Sequence, residues 1–136
     1  MILGIGTDLC NIERIERTLE RFGDRFRDRV FTETEQRKAR SRADTPGTYA
    51  KRWAAKEACS KALGTGLRMG VRWRELEVRR ERGQAPTLVL HGRCRDLSDA
   101  RGGRRMLLSL THDGDYALAQ AMLIGDAAPP DAPSAR

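Results

Sequence analysis

At 136 residues with 39% hydrophobic side chains, the chain is sized for one domain with a modest core, too small to enclose a large ligand by itself. Twenty-six lysines and arginines against nineteen acids leave a net charge of +7, which points to an acidic partner: nucleic acid, a polyphosphate, an acidic protein or an anionic membrane surface. Aromatics at only 5% argue against the stacking platforms of single-strand binders, and three cysteines without a CxxC pair argue against zinc.

Cys10, Cys59 and Cys94 are expected as free thiols in a reducing cytoplasm. The opening Met-Ile-Leu-Gly-Ile-Gly is too short for a signal h-region, and no apolar run reaches membrane-spanning length, so a soluble cytoplasmic protein is expected. Residues 2–7 read as a short strand with Asp8 at its end. From Leu9 the spacing of Ile12, Ile15, Leu19, Phe22, Phe26 and Val30 predicts one amphipathic helix, kinked at Gly23. Arg14, Arg17, Arg21 and Arg25 form a basic stripe opposite the apolar one.

Thr32 with Glu35 three residues on is a capping box, and its helix fades near Ser41. A loop over 42–47 leads to a helix over 48–63, whose small stripe of Ala50, Ala54, Ala58 and Ala62 suits a close approach to a sheet. Gly64 is the expected stop. Strands over 76–80 and 87–90 flank a turn at 83–86, a short helix spans 93–100, and a hairpin joins strands 106–111 and 116–124 through His112-Asp113-Gly114-Asp115. Ala117, Ala119 and Ala121 share one face of the last strand. Residues 126–136, rich in Pro and Ala, hold no core former and are expected to be a disordered tail. The order β-α-α-α-β-β-α-β-β predicts an α+β domain over 1–125, a mostly antiparallel sheet packed against the long helix.

Chemistry concentrates on that helix. Glu57 and Lys61 lie one turn apart on the face that carries Ala54 and Ala58, followed by Gly64-Thr65-Gly66. An ordinary surface ion pair is one reading. The other pairs Glu57 with Asp8 as oxygen ligands for magnesium, with Lys61 and Arg52 on substrate phosphates and the glycine turn offering backbone N–H groups. Asp8 has its own alternative as a helix N-cap. His112, at a strand end, is either catalytic or a structural hydrogen-bonding histidine; His91 is read as structural.

Gly4-Ile5-Gly6-Thr7-Asp8, Phe31-Thr32-Glu33-Thr34-Glu35 and residues 52–66 (Arg-Trp-Ala-Ala-Lys-Glu-Ala-Cys-Ser-Lys-Ala-Leu-Gly-Thr-Gly) resemble the holo-acyl-carrier-protein synthases. These are the small bacterial members of the 4′-phosphopantetheinyl transferase superfamily. Ser109-Leu110-Thr111-His112 and Tyr116-Ala117-Leu118-Ala119 resemble the family's last hairpin. The resemblance implies transfer of phosphopantetheine from coenzyme A to a serine of apo acyl carrier protein in fatty acid biosynthesis, releasing adenosine 3′,5′-bisphosphate. It implies magnesium on Asp8 and Glu57, coenzyme phosphates along Arg52, Lys61 and Gly64-Thr65-Gly66, and His112 and Pro86 beside the coenzyme. It also implies homotrimers with sites between subunits, and a first helix that docks the acidic carrier, here through Arg14 and Arg21. Gly83-Gln84-Ala85-Pro86 departs from the family's Gly-x-Pro, and Trp53 stands where Phe is usual. Glu57, a metal-bound water or His112 could take the serine's proton. A basic nucleic-acid module and a metal-dependent phosphohydrolase are the competing readings.

Overall fold

The structure, a computed structural model, describes residues 1–127. In chain order the elements are β1 (Ile2–Asn11), α1 (Ile12–Phe22), α2 (Asp24–Val30), α3 (Glu33–Arg40), α4 (Thr45–Leu63), a 3₁₀ turn (Trp73–Glu75), β2 (Leu76–Arg79), β3 (Thr87–Leu90), α5 (Gly92–Ala100), β4 (Gly103–Asp113) and β5 (Tyr116–Gly125). The expected α+β class and antiparallel pairing are observed, divided between a three-stranded sheet in the order β1-β5-β4 and a separate β2-β3 ribbon. Most of the expected tail, residues 128–136, lies outside the described residues.

Two boundaries differ from the sequence expectation. The first strand runs on through Asp8 to Asn11, because β5 pairs with it as far as Asn11↔Tyr116. Asn11, not Asp8, caps α1, its side-chain oxygen accepting the Arg14 N–H at 3.0 Å. Leu9 therefore belongs to the strand and stands 62% exposed instead of leading the helix's apolar stripe. The second difference is α4, which starts at Thr45: Asp44 accepts the Gly47 N–H at 3.0 Å, and Pro46 sits in the first turn, where no intrahelical N–H is needed. At Gly23 the anticipated kink is a full break into α1 and α2. The capping box on α3 forms as expected.

α4 is the axis of the fold. Ala50, Ala54, Ala58 and Ala62 are buried toward the three-stranded sheet, which meets them with Ala117, Ala119 and Ala121. Gly4 and Gly6 bring β1 against the helix backbone itself. A Cβ on Gly6 would lie 1.9 Å from the Ala58 carbonyl oxygen, and one on Gly4 would lie 1.9 Å from that of Ala62. Arg101, at the end of α5, donates to the carbonyls of Ala62, Leu63 and Leu3, tying the helix end to β1. On the other side of α4, Phe26, Phe31, Tyr49, Trp53 and Trp73 form an aromatic layer, with Trp53 and Trp73 stacked at 4.3 Å. The opposite face of the sheet is apolar and bare within the chain: Ile5, Leu9, Leu107, Tyr116 and Leu118 are between 37% and 62% exposed.

Candidate active site along helix 45–63

Asp8 and Glu57 meet where β1 crosses α4. Gly6, Asp8 and Cys10 alternate onto the face of β1 that looks at the helix, so the β1–α4 contact through Gly6 brings the Asp8 carboxylate beside it. Lys61 does not pair with Glu57, four residues before it. Its ammonium donates to the Thr7 carbonyl at 2.9 Å and lies 3.4 Å from Asp8 Oδ1. The surface ion pair read from the i, i+4 spacing is thus replaced by a link from helix to strand.

Burial pushes both carboxyls above their ordinary range, and the negative charge of Asp8 pushes Glu57 further; Lys61 and then Arg14 pull each of them back. Two half-buried acids lie side by side, with burial outweighing the nearby positive charge of Lys61 and Arg14. A hard divalent cation that takes one or two carboxylates, its other ligands being water and phosphate oxygens, fits this donor set.

Farther toward the start of α4 lies a second, oppositely charged site. Arg42, Lys51, Arg52, Arg80 and His112 line a cavity of about 340 Å³, with Asp44 the one acid among them. Arg52 is only 5% exposed, and among the described residues its Nε has no hydrogen-bond partner. Burial holds Lys51 below its ordinary pKa, and the neighbouring charges of Arg52 and Arg80 add to the effect. Cations crowded around one buried arginine and outnumbering the single acid of the cavity are arranged to receive an anion. A groove of about 360 Å³ continues from this cavity over Arg37, Lys38 and Arg79, sharing Arg52 and Arg80.

His112 belongs to this second site and sits within β4, not in a loop. The register His112↔Ala117↔Cys10 places it two strands from β1 and roughly 12 Å from Asp8, so within one chain it does not join the two carboxylates. Arg42, Lys51 and Arg80 were not singled out from the sequence, where they read as members of charge runs. A cluster drawn from α4, its preceding loop and a distant hairpin leaves no local spacing to detect.

Gly64-Thr65-Gly66 differs from expectation. Gly64 closes the helix in the left-handed conformation, with φ 89°. All three amides point back to the Ser60 carbonyl at 3.1–3.2 Å, so the turn offers no free N–H row. What it does provide is room: no atom lies within 4 Å of the place a Cβ on Gly66 would take. Pro86 sits just before β3, on the hairpin that carries Arg80, but lines neither basic cavity. His91 is structural as expected, with Nε2 3.2 Å from Glu77 Oε1. All three cysteines are buried free thiols.

On α1, Arg14 and Arg21 are exposed, while Arg17 pairs with Glu13. Arg21 also stacks over the Phe22 ring, 5.0 Å from its centroid. Beside them a cleft of about 310 Å³ is floored by Thr18, Phe22 and Phe26 and rimmed by Arg25 and Arg29, an apolar recess in a basic surface.

The family model described as 4′-phosphopantetheinyl transferase superfamily matches residues 4–121. A holo-[acyl-carrier-protein] synthase of Dinoroseobacter shibae is 57% identical over 97% of this chain and 96% of its own length. The crystal structure of the corresponding synthase of Neisseria meningitidis is similar with a TM-score of 0.84, at 32% identity, covering 91% of this chain and 99% of that one. A third, from Helicobacter pylori in complex with coenzyme A, has a TM-score of 0.78 at 27% identity over 88% of this chain and 99% of that one.

Proposed function

The chain belongs to the 4′-phosphopantetheinyl transferase superfamily, among its holo-acyl-carrier-protein synthases, and on that premise we propose how its residues divide the work. It transfers the 4′-phosphopantetheine group of coenzyme A to a serine of apo acyl carrier protein and releases adenosine 3′,5′-bisphosphate. We assign that transfer to fatty acid biosynthesis in the cytoplasm; no helix among the described residues is long and apolar enough to cross a membrane.

The reading of the site rests on one observation: two charge clusters of opposite sign flank α4, the carboxylates where β1 meets it and the cations around Arg52 and His112 on the β4 side. Coenzyme A carries negative charge at two places, its pyrophosphate and its 3′-phosphate. Asp8 and Glu57 hold the magnesium ion, which when bound neutralises charge on the pyrophosphate and its leaving group. Lys61, fixed by the Thr7 carbonyl, adds a positive charge that need not reorganise as negative charge builds. The open turn at 64–66 lets the coenzyme backbone pass the end of α4 without obstruction. Arg52, assisted by Arg42, Lys51, Arg80 and His112, takes the 3′-phosphate, and the hairpin bearing Pro86 flanks it.

The carrier serine must lose a proton as it attacks phosphorus. Glu57 takes it, directly or through a water: it is half-buried beside Asp8, and its side chain has no ion-pair partner among the described residues. The acidic carrier docks on α1 through Arg14 and Arg21, with an apolar side chain entering the Phe22–Phe26 cleft. A homotrimer with sites between subunits is supported by the outer face of the β1-β5-β4 sheet, where Ile5, Leu9, Leu107, Tyr116 and Leu118 stand exposed together.

The test is mass spectrometry of an apo carrier protein incubated with coenzyme A, magnesium and the enzyme. A gain of one phosphopantetheine group on the carrier serine is expected. Coenzyme A consumed without modification of the carrier would refute the reading in favour of a phosphohydrolase.

A further inference from the structure

Lys56, the residue before Glu57, has no exposed surface, and neither has its partner Glu35 on α3, 2.7 Å away. The bonding of the pair is complete. The three ammonium protons of Lys56 go to Glu35 Oε1, to the Trp73 carbonyl at 3.0 Å and to the Leu76 carbonyl at 2.7 Å. Glu35 in turn accepts the Thr32 N–H at 2.9 Å and the Val78 N–H at 3.0 Å. One ion pair therefore joins the start of α3, the middle of α4, the 3₁₀ turn and one edge of β2.

Taking two charges out of water costs several kcal/mol per ion, and an apolar pair would hold two helices together without that cost. The placement indicates what the charges are for. The chain leaves α4 at Gly64 through the glycine turn and returns at Trp73 to the same helix, where Trp53 stacks on the Trp73 ring and Lys56 grips its carbonyl. Residues 64–72 thus form a loop closed onto α4 at both ends, and the far clasp is Lys56–Glu35. That loop begins at the open turn assigned above to the coenzyme.

We propose that Lys56 and Glu35 are positioning residues for coenzyme A, clasping loop 64–72 onto α4 so that the turn, Lys61 and Glu57 keep one fixed geometry. Neither residue touches the coenzyme. The readout in coenzyme rests on the transferase reading, whereas the clasp itself does not.

The pair is tested with the double variant Glu35→Gln/Lys56→Met, which removes both charges together and so avoids stranding either one. Coenzyme A affinity is measured by titration calorimetry without carrier protein, alongside steady-state transfer and hydrogen exchange. The expected result is a Kd and a KM for coenzyme A raised about tenfold, the KM for carrier unchanged, and faster exchange confined to residues 64–76. A Kd for coenzyme A equal to that of the wild type overturns the proposal, and so does a fall in kcat with that KM unmoved, the mark of a smaller folded fraction. Should the double variant not fold, wild-type exchange decides. The Val78 amide is expected to exchange as slowly as the slowest amides of β5, and exchange at a rate typical of an open loop overturns the clasp. If the wild type modifies no carrier, the transferase reading fails, and the exchange pattern still judges the clasp.

Discussion

Replacing Gly6 by alanine tests whether the site is built on backbone contact. The new methyl would stand 1.9 Å from the Ala58 carbonyl oxygen, 2.8 Å from the Ala62 nitrogen and 2.9 Å from the Ala58 carbonyl carbon, all main-chain atoms of α4. No rotamer change relieves such a contact. Reaching an ordinary separation needs β1 and α4 to part by about 1.5 Å. Overpacking of this kind costs about 1–3 kcal/mol, and a clash between two backbones belongs at the upper end. For a domain of this size that is a fall in Tm of about 10 °C. The functional loss should exceed the stability loss, because the same displacement moves Asp8 away from Glu57, and a misplacement near 1 Å costs on the order of a hundredfold in rate. The assay is kcat for phosphopantetheine transfer at a temperature where the variant's melting curve shows it fully folded. A Gly6→Ala enzyme with wild-type kcat and an unchanged Tm would refute the reasoning.

Four other outcomes are expected. Asp8→Asn or Glu57→Gln should lower transfer by about two to three orders of magnitude, yet in metal-free buffer at neutral pH melt no lower than wild type, since each removes a charge that burial disfavours. Arg14→Ala should raise the KM for carrier protein and leave that for coenzyme A in place, which steady-state kinetics with each substrate varied will show. Leu9→Glu or Leu118→Glu, on the bare sheet face, should convert a trimer to monomers in sedimentation and abolish transfer. Glu77 is pushed up by burial, but its hydrogen bonds, among them those to His91 and Arg79, hold it below the ordinary carboxylate range. Its contribution to stability is therefore present above about pH 4 and lost as pH falls through the folded value, so Glu77→Gln should be less stable than wild type in urea at pH 7 and converge with it in acid.

Local signals were legible in the sequence wherever local physics decides the structure. Thr32 and Glu35 form their box, the alanines of α4 and β5 face each other, and Gly64 stops the helix. The end of β1 was not legible, because Leu9, Ile12 and Ile15 carry helical spacing across a strand–helix junction that only pairing with β5 fixes. Asn11, the better N-cap, was the cue available. Asp44 followed by Pro46 was an equally readable start for α4. On the site, Asp8 and Glu57 lie side by side, the partner of Lys61 is a strand carbonyl and Asp8, and His112 stands with Arg52. Lys56 gave no hint of burial, because its partner is 21 residues away and had already been explained as a helix cap. Charges whose partners come from other elements are invisible to spacing.

The pairing of β1 with β5 also bears on how the protein is made. Every ladder partner of β1 lies more than a hundred residues downstream, from Tyr116 to Ile124. During synthesis, Asp8 waits on an unpaired strand until β5 has been translated. Such long-range closure is slow compared with local helix formation, and it leaves an apolar edge open in the meantime. The helices can form as they appear, but Asp8 and Glu57 come together only as one of the last events of folding. Premature termination anywhere before β5 would leave β1 without its ladder partner and Asp8 with nothing to hold it beside Glu57.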